Sequence, residues 1–175
     1  ELLKLDTEER SLQKIDPPGL QSNWEESAWG RMTVNDKDIV ILINEDGFSV
    51  FDPETEQFVE SDLDTDIPME DDKGFDGCVI SNKFYLFGGE KADESGSAQA
   101  WIFDPSQAKG EQWKQLSDMP AGMAAPKVET VGTKAYIMGG VTTGALLQYI
   151  LEYDPGADTF AKKEDLPYVT YKHDS

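Results

Sequence analysis

The chain has 175 residues, of which 38% are hydrophobic and 10% aromatic, a composition that favours a folded globular protein over a disordered one. Its 35 acidic and 15 basic residues give a formal net charge of -20, which repels nucleic acid phosphates and anionic lipid. We therefore expect no binding to nucleic acid or to membranes, whereas basic proteins and cations remain possible partners.

The single cysteine, Cys78, excludes an internal disulfide. It lies in the apolar stretch 77–80, which predicts a small buried side chain in preference to a reactive thiol. The sequence has no Asn-x-Ser/Thr glycosylation site, and no apolar run approaches the roughly 20 residues that span a bilayer. These features favour an intracellular, cytoplasmic setting, and nothing in the sequence indicates a cofactor.

A unit of about 50 residues recurs along the chain, which is the signature of repeated supersecondary structure. Four aspartates, spaced 46, 52 and 50 residues apart, each follow an aromatic residue or a leucine, and the last three precede a proline. A bulky apolar residue and then a closing proline follow in each copy. The three sets are Asp6, Asp52, Asp104 and Asp154; Leu12, Phe58, Trp113 and Phe160; and Pro17, Pro68, Pro120 and Pro167.

The first elements in the chain belong to an incomplete copy. Leu2, Leu5 and Leu12 have partly helical spacing, but residues 2–15 align with residues 48–61 of the next copy. We therefore interpret them as two outer strands joined by a turn at 6–10. A turn signal at 16–19 then introduces an exposed loop, in which Trp24 is either a contact residue of a binding surface or a lid over the loop. Strands are predicted over 28–34 and 38–43.

Glycine pairs mark the second and third copies. The predicted inner strands over 74–80 and 83–87 end at Gly88 and Gly89, and the third copy has Gly139 and Gly140 in the same place. Missing Cβ atoms permit positive φ and close approach of another backbone. A phosphate-binding loop would also need a lysine and a helix, which do not accompany these pairs. The first copy has Ile43 and Asn44 at this position.

The recurring aspartates Asp52, Asp104 and Asp154 are predicted to be structural. An aspartate at the start of a turn accepts a hydrogen bond from a later amide, and the proline after it presets φ at the second turn position. A catalytic acid would be needed once, whereas these residues recur in every copy.

Taken together, a paired glycine after an apolar strand, an aromatic-Asp-Pro turn, an aromatic residue such as Trp113 and then Met119-Pro120 resemble the kelch repeat of β-propellers. The resemblance implies an all-β fold, an arc of about three to four four-stranded antiparallel blades. The predicted units are residues 1–19 (outer strands of a partial blade), 20–68 (a blade without Gly-Gly), 69–120 and 121–167 (blades), and 168–175 (inner strand of a further blade).

These predicted units do not decide whether the ring is closed, since a closed propeller commonly has about four to eight blades. The chain is a fragment of a longer propeller, a subunit that closes a ring with other copies, or an unusually small four-bladed ring. We favour the first two, because unpaired strand edges at residues 2–5 and 168–171 each expect a partner. The prediction is a homo-oligomer, or part of a longer chain or complex.

Metal chemistry has little support in the sequence. His173 is the only histidine, which leaves no histidine cluster for zinc. Three alternate aspartates, Asp62, Asp64 and Asp66, imitate the opening of a calcium loop, but Ile67 and Lys73 replace the glycine and the glutamate that such a loop requires. We predict no metal and a solvated acidic loop, with a weak surface calcium site at the three aspartates as the alternative.

Acidic residues gather in the connections that propeller topology places on one face, namely those between blades and those between the second and third strands of a blade. Lys91 is almost the only basic residue among them. The candidate binding residues are Trp24, Glu25, Glu26, Asp62, Asp64, Asp66, Asp71, Asp72, Glu90, Asp93 and Glu94.

Three functions follow for such a molecule. We favour a non-catalytic protein-interaction module or assembly scaffold, which binds a protein with a basic surface through the acidic face. The first alternative is a structural subunit that closes a propeller by oligomerisation. The second is an enzyme with a carboxylate site at the propeller axis, which would use inner-strand residues such as Arg31, Asp76 and Glu129.

Overall fold

The computed structural model describes residues 2–15, 28–44, 47–69 and 73–168. These residues form sixteen β-strands and no helix. The strands are β1 Leu2–Asp6, β2 Ser11–Ile15, β3 Ala28–Val34, β4 Lys37–Asn44, β5 Gly47–Asp52, β6 Gln57–Val59, β7 Asp76–Ile80, β8 Lys83–Phe87, β9 Ala100–Phe103, β10 Trp113–Gln115, β11 Lys127–Val131, β12 Lys134–Met138, β13 Val141–Thr142, β14 Ala145–Leu146, β15 Ile150–Asp154 and β16 Thr159–Lys162. Within the described part, no helix has the length and apolar composition needed to cross a bilayer.

Three four-stranded antiparallel sheets make up most of the molecule. The first sheet has the order β3-β4-β5-β6, the second β7-β8-β9-β10 and the third β11-β12-β15-β16. The prediction of an all-β fold built from four-stranded antiparallel units is confirmed. The exact boundaries predicted for the repeats stay a prediction.

Neighbouring sheets pack face to face through alternating side chains. In β8, Phe84 and Leu86 join a core with the first sheet, whereas Tyr85 and Phe87 join a core with the third sheet. This strand is buried on both faces, which explains why its sequence is a continuous apolar run. The innermost strand β7 contacts both β3 and β11, so the three inner strands follow one another around a common axis.

An aromatic pair recurs at each of the two interfaces between sheets. Phe103 and Trp113 are cross-strand partners in the second sheet, with ring centroids 5.1 Å apart, and both contact Phe48 of the first sheet. In the third sheet, the partners Tyr153 and Phe160 lie 4.7 Å apart. Both of them contact Phe87 of the second sheet, at 5.4 and 6.1 Å. These pairs occupy the repeat positions that the sequence predicted to be bulky.

Two hairpins accompany the sheets. Strands β1 and β2 pair with each other across residues Leu2–Asp6 and Ser11–Ile15. The short hairpin β13-β14 was not predicted. It turns at Thr143 and Gly144, both of which have positive φ (44° and 76°), the geometry that a two-residue hairpin turn requires.

Candidate functional site

The candidate site is the face where the sheet-to-sheet connections meet the connections between the second and third strands of each sheet, here called the loop face. Bridges between these connections join Lys73 to Glu90, Ser97 to Met123, and Ala124 to Val141. Hydrogen bonds accompany each bridge, for example from the Met123 amide to the Ser97 carbonyl at 2.9 Å. The loop face is therefore a bonded layer of backbone, not a set of separate loops.

Two glycines predicted for close approach flank one of these connections. A Cβ added at Gly88 would lie 2.5 Å from the Met123 carbonyl oxygen, and one at Gly140 would lie 2.7 Å from that of Ala124. Both glycines have positive φ, 73° and 85°. Gly89 (φ 129°) donates its amide hydrogen to the Met123 carbonyl, and Gly139 (φ 66°) donates to the Tyr149 carbonyl. The pairs thus hold backbone of the loop face in place.

One group of acids lies on the loop face between β8 and β9. Glu90 is half-buried and its backbone pairs with Lys73 and Gly96, whereas Asp93 and Glu94 are exposed. The pKa of Asp93 is lowered, because its carboxylate accepts hydrogen bonds from the hydroxyl and the amide of Ser95. Asp93 is therefore charged and accessible at neutral pH.

The second group of acids lies in the connection between the first and second sheets, and its middle member has a structural contact. The Asp64 carboxylate accepts hydrogen bonds from the amides of Gly110 and Gln112, at 2.7 and 3.3 Å. Its own amide donates to the Gln112 side chain, and its carbonyl accepts from Trp113 Nε1. Asp64 therefore fastens this connection to the outer edge of the second sheet, while Asp62 and Asp66 are exposed.

Metal binding gains no support from this arrangement. Within residues 2–15, 28–44, 47–69 and 73–168, no three His, Cys, Asp or Glu side chains lie close enough to hold one ion. Asp62, Asp64 and Asp66 are not brought together as a calcium loop would require, since Asp64 is engaged with Gly110 and Gln112.

Several predicted contact residues lie outside the described residues. They are Trp24, Glu25, Glu26, Asp71 and Asp72, together with most of the strand predicted over 168–175.

A small cavity of about 200 Å³ lies among the three inner strands. It is lined by Trp29, Asp76 and Cys78, and by Lys127, Glu129 and Thr130 of the third sheet. Trp29 was not predicted to be a site residue, and it is 64% exposed on an innermost strand. The alternation of buried and exposed residues along β3 is the signal that could have identified Trp29, since it lies between the buried Ala28 and Gly30.

Several polar groups near this cavity are already paired. Asp76 accepts hydrogen bonds from the amides of Gly77 and Val128, at 2.8 and 2.9 Å, and pairs with Lys127 at 3.2 Å. Burial raises the pKa of Asp76 in spite of these partners. Burial likewise raises the pKa of the Cys78 thiol to about 11, so Cys78 is not a thiolate nucleophile at neutral pH. Arg31 pairs with Asp38 at 2.5 Å, and Glu129 is exposed.

The recurring aspartates all make the same turn contact. In each case Oδ1 accepts a hydrogen bond from the amide two residues later: Asp6 from Glu8, Asp52 from Glu54, Asp104 from Ser106 and Asp154 from Gly156. The distances are 2.9, 2.8, 3.0 and 2.9 Å. This bond closes the turn between the third and fourth strands, so these carboxylates are engaged with their own backbone.

Comparison with known proteins points to one kind of repeat. The chain is 27% identical to Kelch-like protein 41 of Rattus norvegicus over 143 residues, which is 78% of the chain and 23% of the relative. It is 31% identical over 101 residues to an F-box/kelch-repeat protein of Arabidopsis thaliana, covering 54% of the chain and 20% of that protein. It is 26% identical over 102 residues to human Kelch repeat and BTB domain-containing protein 12, covering 53% and 16%.

These curated relatives are much longer than the chain, which spans about a fifth of their length. No family model matches the chain. Among solved structures, that of YjhT superposes with a TM-score of 0.66 at 16% identity, covering 83% of this chain and 54% of that one. This superposition supports the propeller fold.

Proposed function

Because the chain is built from kelch repeats, like the relatives that it matches, we propose that it is a non-catalytic protein-interaction module. The kelch-repeat relatives suggest this class. We further propose that the partner has a basic surface and is bound by acids of the loop face and of the connection between the first and second sheets. The observation that carries the proposal is a charge of -20 combined with exposed carboxylates at Asp62, Asp66, Asp93 and Glu94.

Catalysis at the axis has weaker support. The cavity there, about 200 Å³, is smaller than the roughly 300–1,000 Å³ of typical small-molecule sites. Asp76, the buried acid beside it, has both carboxylate oxygens in hydrogen bonds to backbone amides. A general acid or base needs an oxygen directed at its substrate, so this carboxylate suits a structural role better.

The role of Asp64 determines how the proposal is tested. Because Asp64 fastens a connection to the second sheet, its removal would disturb the fold together with the charge. A binding variant should therefore keep Asp64 and replace five other acids by amides: Asp62→Asn, Asp66→Asn, Asp71→Asn, Asp72→Asn and Glu94→Gln. A matched control replaces five exposed acids that belong to neither acidic group: Glu8→Gln, Glu9→Gln, Asp36→Asn, Glu54→Gln and Glu129→Gln.

Binding to a basic protein surface, with lysozyme or histone H1 as the probe, should be fast and sensitive to salt. The Debye length falls from roughly 10 Å at 0.1 M salt to about 3 Å at 1 M, so long-range attraction is screened. We expect surface plasmon resonance to show a several-fold slower association for the five-acid binding variant than for the control variant. Equal effects of the two variants would show that the acidic groups only keep the surface solvated, and this result would contradict the proposal.

A further inference from the structure

The β1-β2 hairpin carries an exposed apolar face. Leu3, Leu5 and Leu12 are 53%, 61% and 68% exposed. Leu5 and Leu12 are direct cross-strand partners, and Leu3 is two residues before Leu5, so all three side chains lie on the same face. Three leucines on one face of a two-stranded hairpin form a surface that water solvates poorly.

The repeat shows what this face is built to contact. The partners Leu5 and Leu12 occupy the positions of Tyr153 and Phe160 in the third sheet. In each pair the first residue directly precedes the turn aspartate, and the second is the cross-strand partner of the first. In the third sheet this pair packs against Phe87 of the sheet before it. The hairpin position is therefore a sheet-to-sheet contact, and its natural occupant is the face of another sheet.

The outward face of the third sheet has apolar residues at the position that the hairpin would contact, beside a polar group in which Glu152 is paired with Tyr136, Lys134 and Lys163. Met138 precedes a glycine pair as Phe87 does, and it is paired with Ile150. Both side chains alternate with residues that face the second sheet, such as Ile137 and Leu151, so they point to the opposite side. They are only half-buried there, and Val131 on the same sheet is 63% exposed.

Charges at the edge of this contact also match. Arg10 and Asp158 are equivalent, since each has positive φ (53° and 51°) and lies four residues after its turn aspartate. Asp158 accepts hydrogen bonds from the amide and the hydroxyl of Ser117, which follows the outer strand of the preceding sheet.

The residue equivalent to Ser117 after the third sheet is Glu164. The residue before each of them donates an equivalent amide hydrogen bond just after the outer strand. Leu116 donates to the Ala100 carbonyl, and Lys163 donates to the Ile150 carbonyl. A hairpin seated on the third sheet would thus bring the guanidinium of Arg10 to the carboxylate of Glu164.

We propose that the hairpin of one copy packs against the outward face of the third sheet of a second copy, with Leu5 and Leu12 on Met138 and Arg10 beside Glu164. The two surfaces differ, so the contact is head-to-tail and extends into a ring or a filament. It uses neither the loop face nor the acids of the proposed binding function, so either proposal can fail without the other.

Sedimentation equilibrium of the whole chain across the micromolar range tests this interface. The mass should rise with concentration, and Arg10→Glu or Glu164→Arg alone should weaken association by roughly tenfold or more, because like charges then face each other. An equimolar mixture of the two variants should associate as the unmodified chain does, since each mixed contact restores one pair of opposite charges.

Lys109→Glu is the matched control, because it makes the same charge change at an exposed turn of the second sheet. Leu5→Asp should also abolish association, with circular dichroism confirming that the sheets remain. A monomer at every concentration, association that Arg10→Glu leaves unchanged, or a mixture that fails to recover would each overturn the proposal.

Discussion

The turn aspartates share one hydrogen bond but differ in their surroundings, and Asp104 is the most strongly engaged of them. Its carboxylate pairs with Lys83 at 2.8 Å and accepts hydrogen bonds from Ser106 and Gln107. Burial alone would raise the pKa of this group, but the hydrogen bonds from Lys83, Ser106 and Gln107 outweigh it and lower the pKa to about 2. Asp104 thus links the turn between β7 and β8, through Lys83, to the turn between β9 and β10.

A pH dependence of stability follows from this lowered pKa. The unfolded carboxyl has a pKa of about 3.9, so the folded state binds the proton less tightly than the unfolded state. The stabilisation is present above about pH 4 and is lost as pH falls toward about 2. We expect Asp104→Asn to be less stable than the parent at pH 7 in urea denaturation, and to lose less stability between those two pH values. Asp118→Asn, at an exposed position outside the turns, is the control and should behave like the parent.

At the scale of the elements, the connections between sheets are held in place by acidic side chains that the sequence alone would assign to the solvated surface. Asp64 bonds to Gly110 and Gln112, and Asp158 bonds to Ser117. Each contact joins a connection to the turn between the third and fourth strands of the following sheet. The sheets are therefore linked by polar contacts at their outer edges in addition to the aromatic pairs.

Removing one of these links should destabilise the fold. Asp64→Ala leaves the Gly110 and Gln112 amides without their acceptor, and we expect the free energy of unfolding to fall by about 1–2 kcal/mol. Asp62→Ala removes the same charge at an exposed position two residues away and should change it by less than about 0.5 kcal/mol. Urea denaturation of both variants at the same pH measures the difference. Equal effects would show that the hydrogen bonds of Asp64 contribute nothing.

The strands and the repeat were predictable because their signals are local. Alternation, glycine pairs and Asp-Pro turns each specify a few neighbouring residues, and the prediction of kelch repeats is confirmed by the relatives. The bonds of Asp64 were not predictable, since Gly110 and Gln112 lie 46 and 48 residues away in the sequence. Their proximity depends on how two sheets pack, as does the position of Trp29 beside the axial cavity.

At the scale of the whole molecule, the second sheet shares a core with another four-stranded sheet on each of its two faces. Phe84 and Leu86 pack toward the first sheet, and Tyr85 and Phe87 pack toward the third. The first and third sheets each share only one of these two cores, and the third has Val131 exposed on its outward side. Stability should therefore be distributed unevenly along the stack.

This asymmetry has a consequence for local opening. The amides of β8 should exchange with solvent only through global unfolding, whereas those of β4 and β12, at the same place in the flanking sheets, should also exchange by fraying of a single sheet. Native-state hydrogen exchange followed by NMR, at concentrations low enough to suppress association, would show the slowest exchange at Phe84 and Leu86. A uniform rate across all three sheets would instead describe one indivisible cooperative unit, in which no sheet opens before the others.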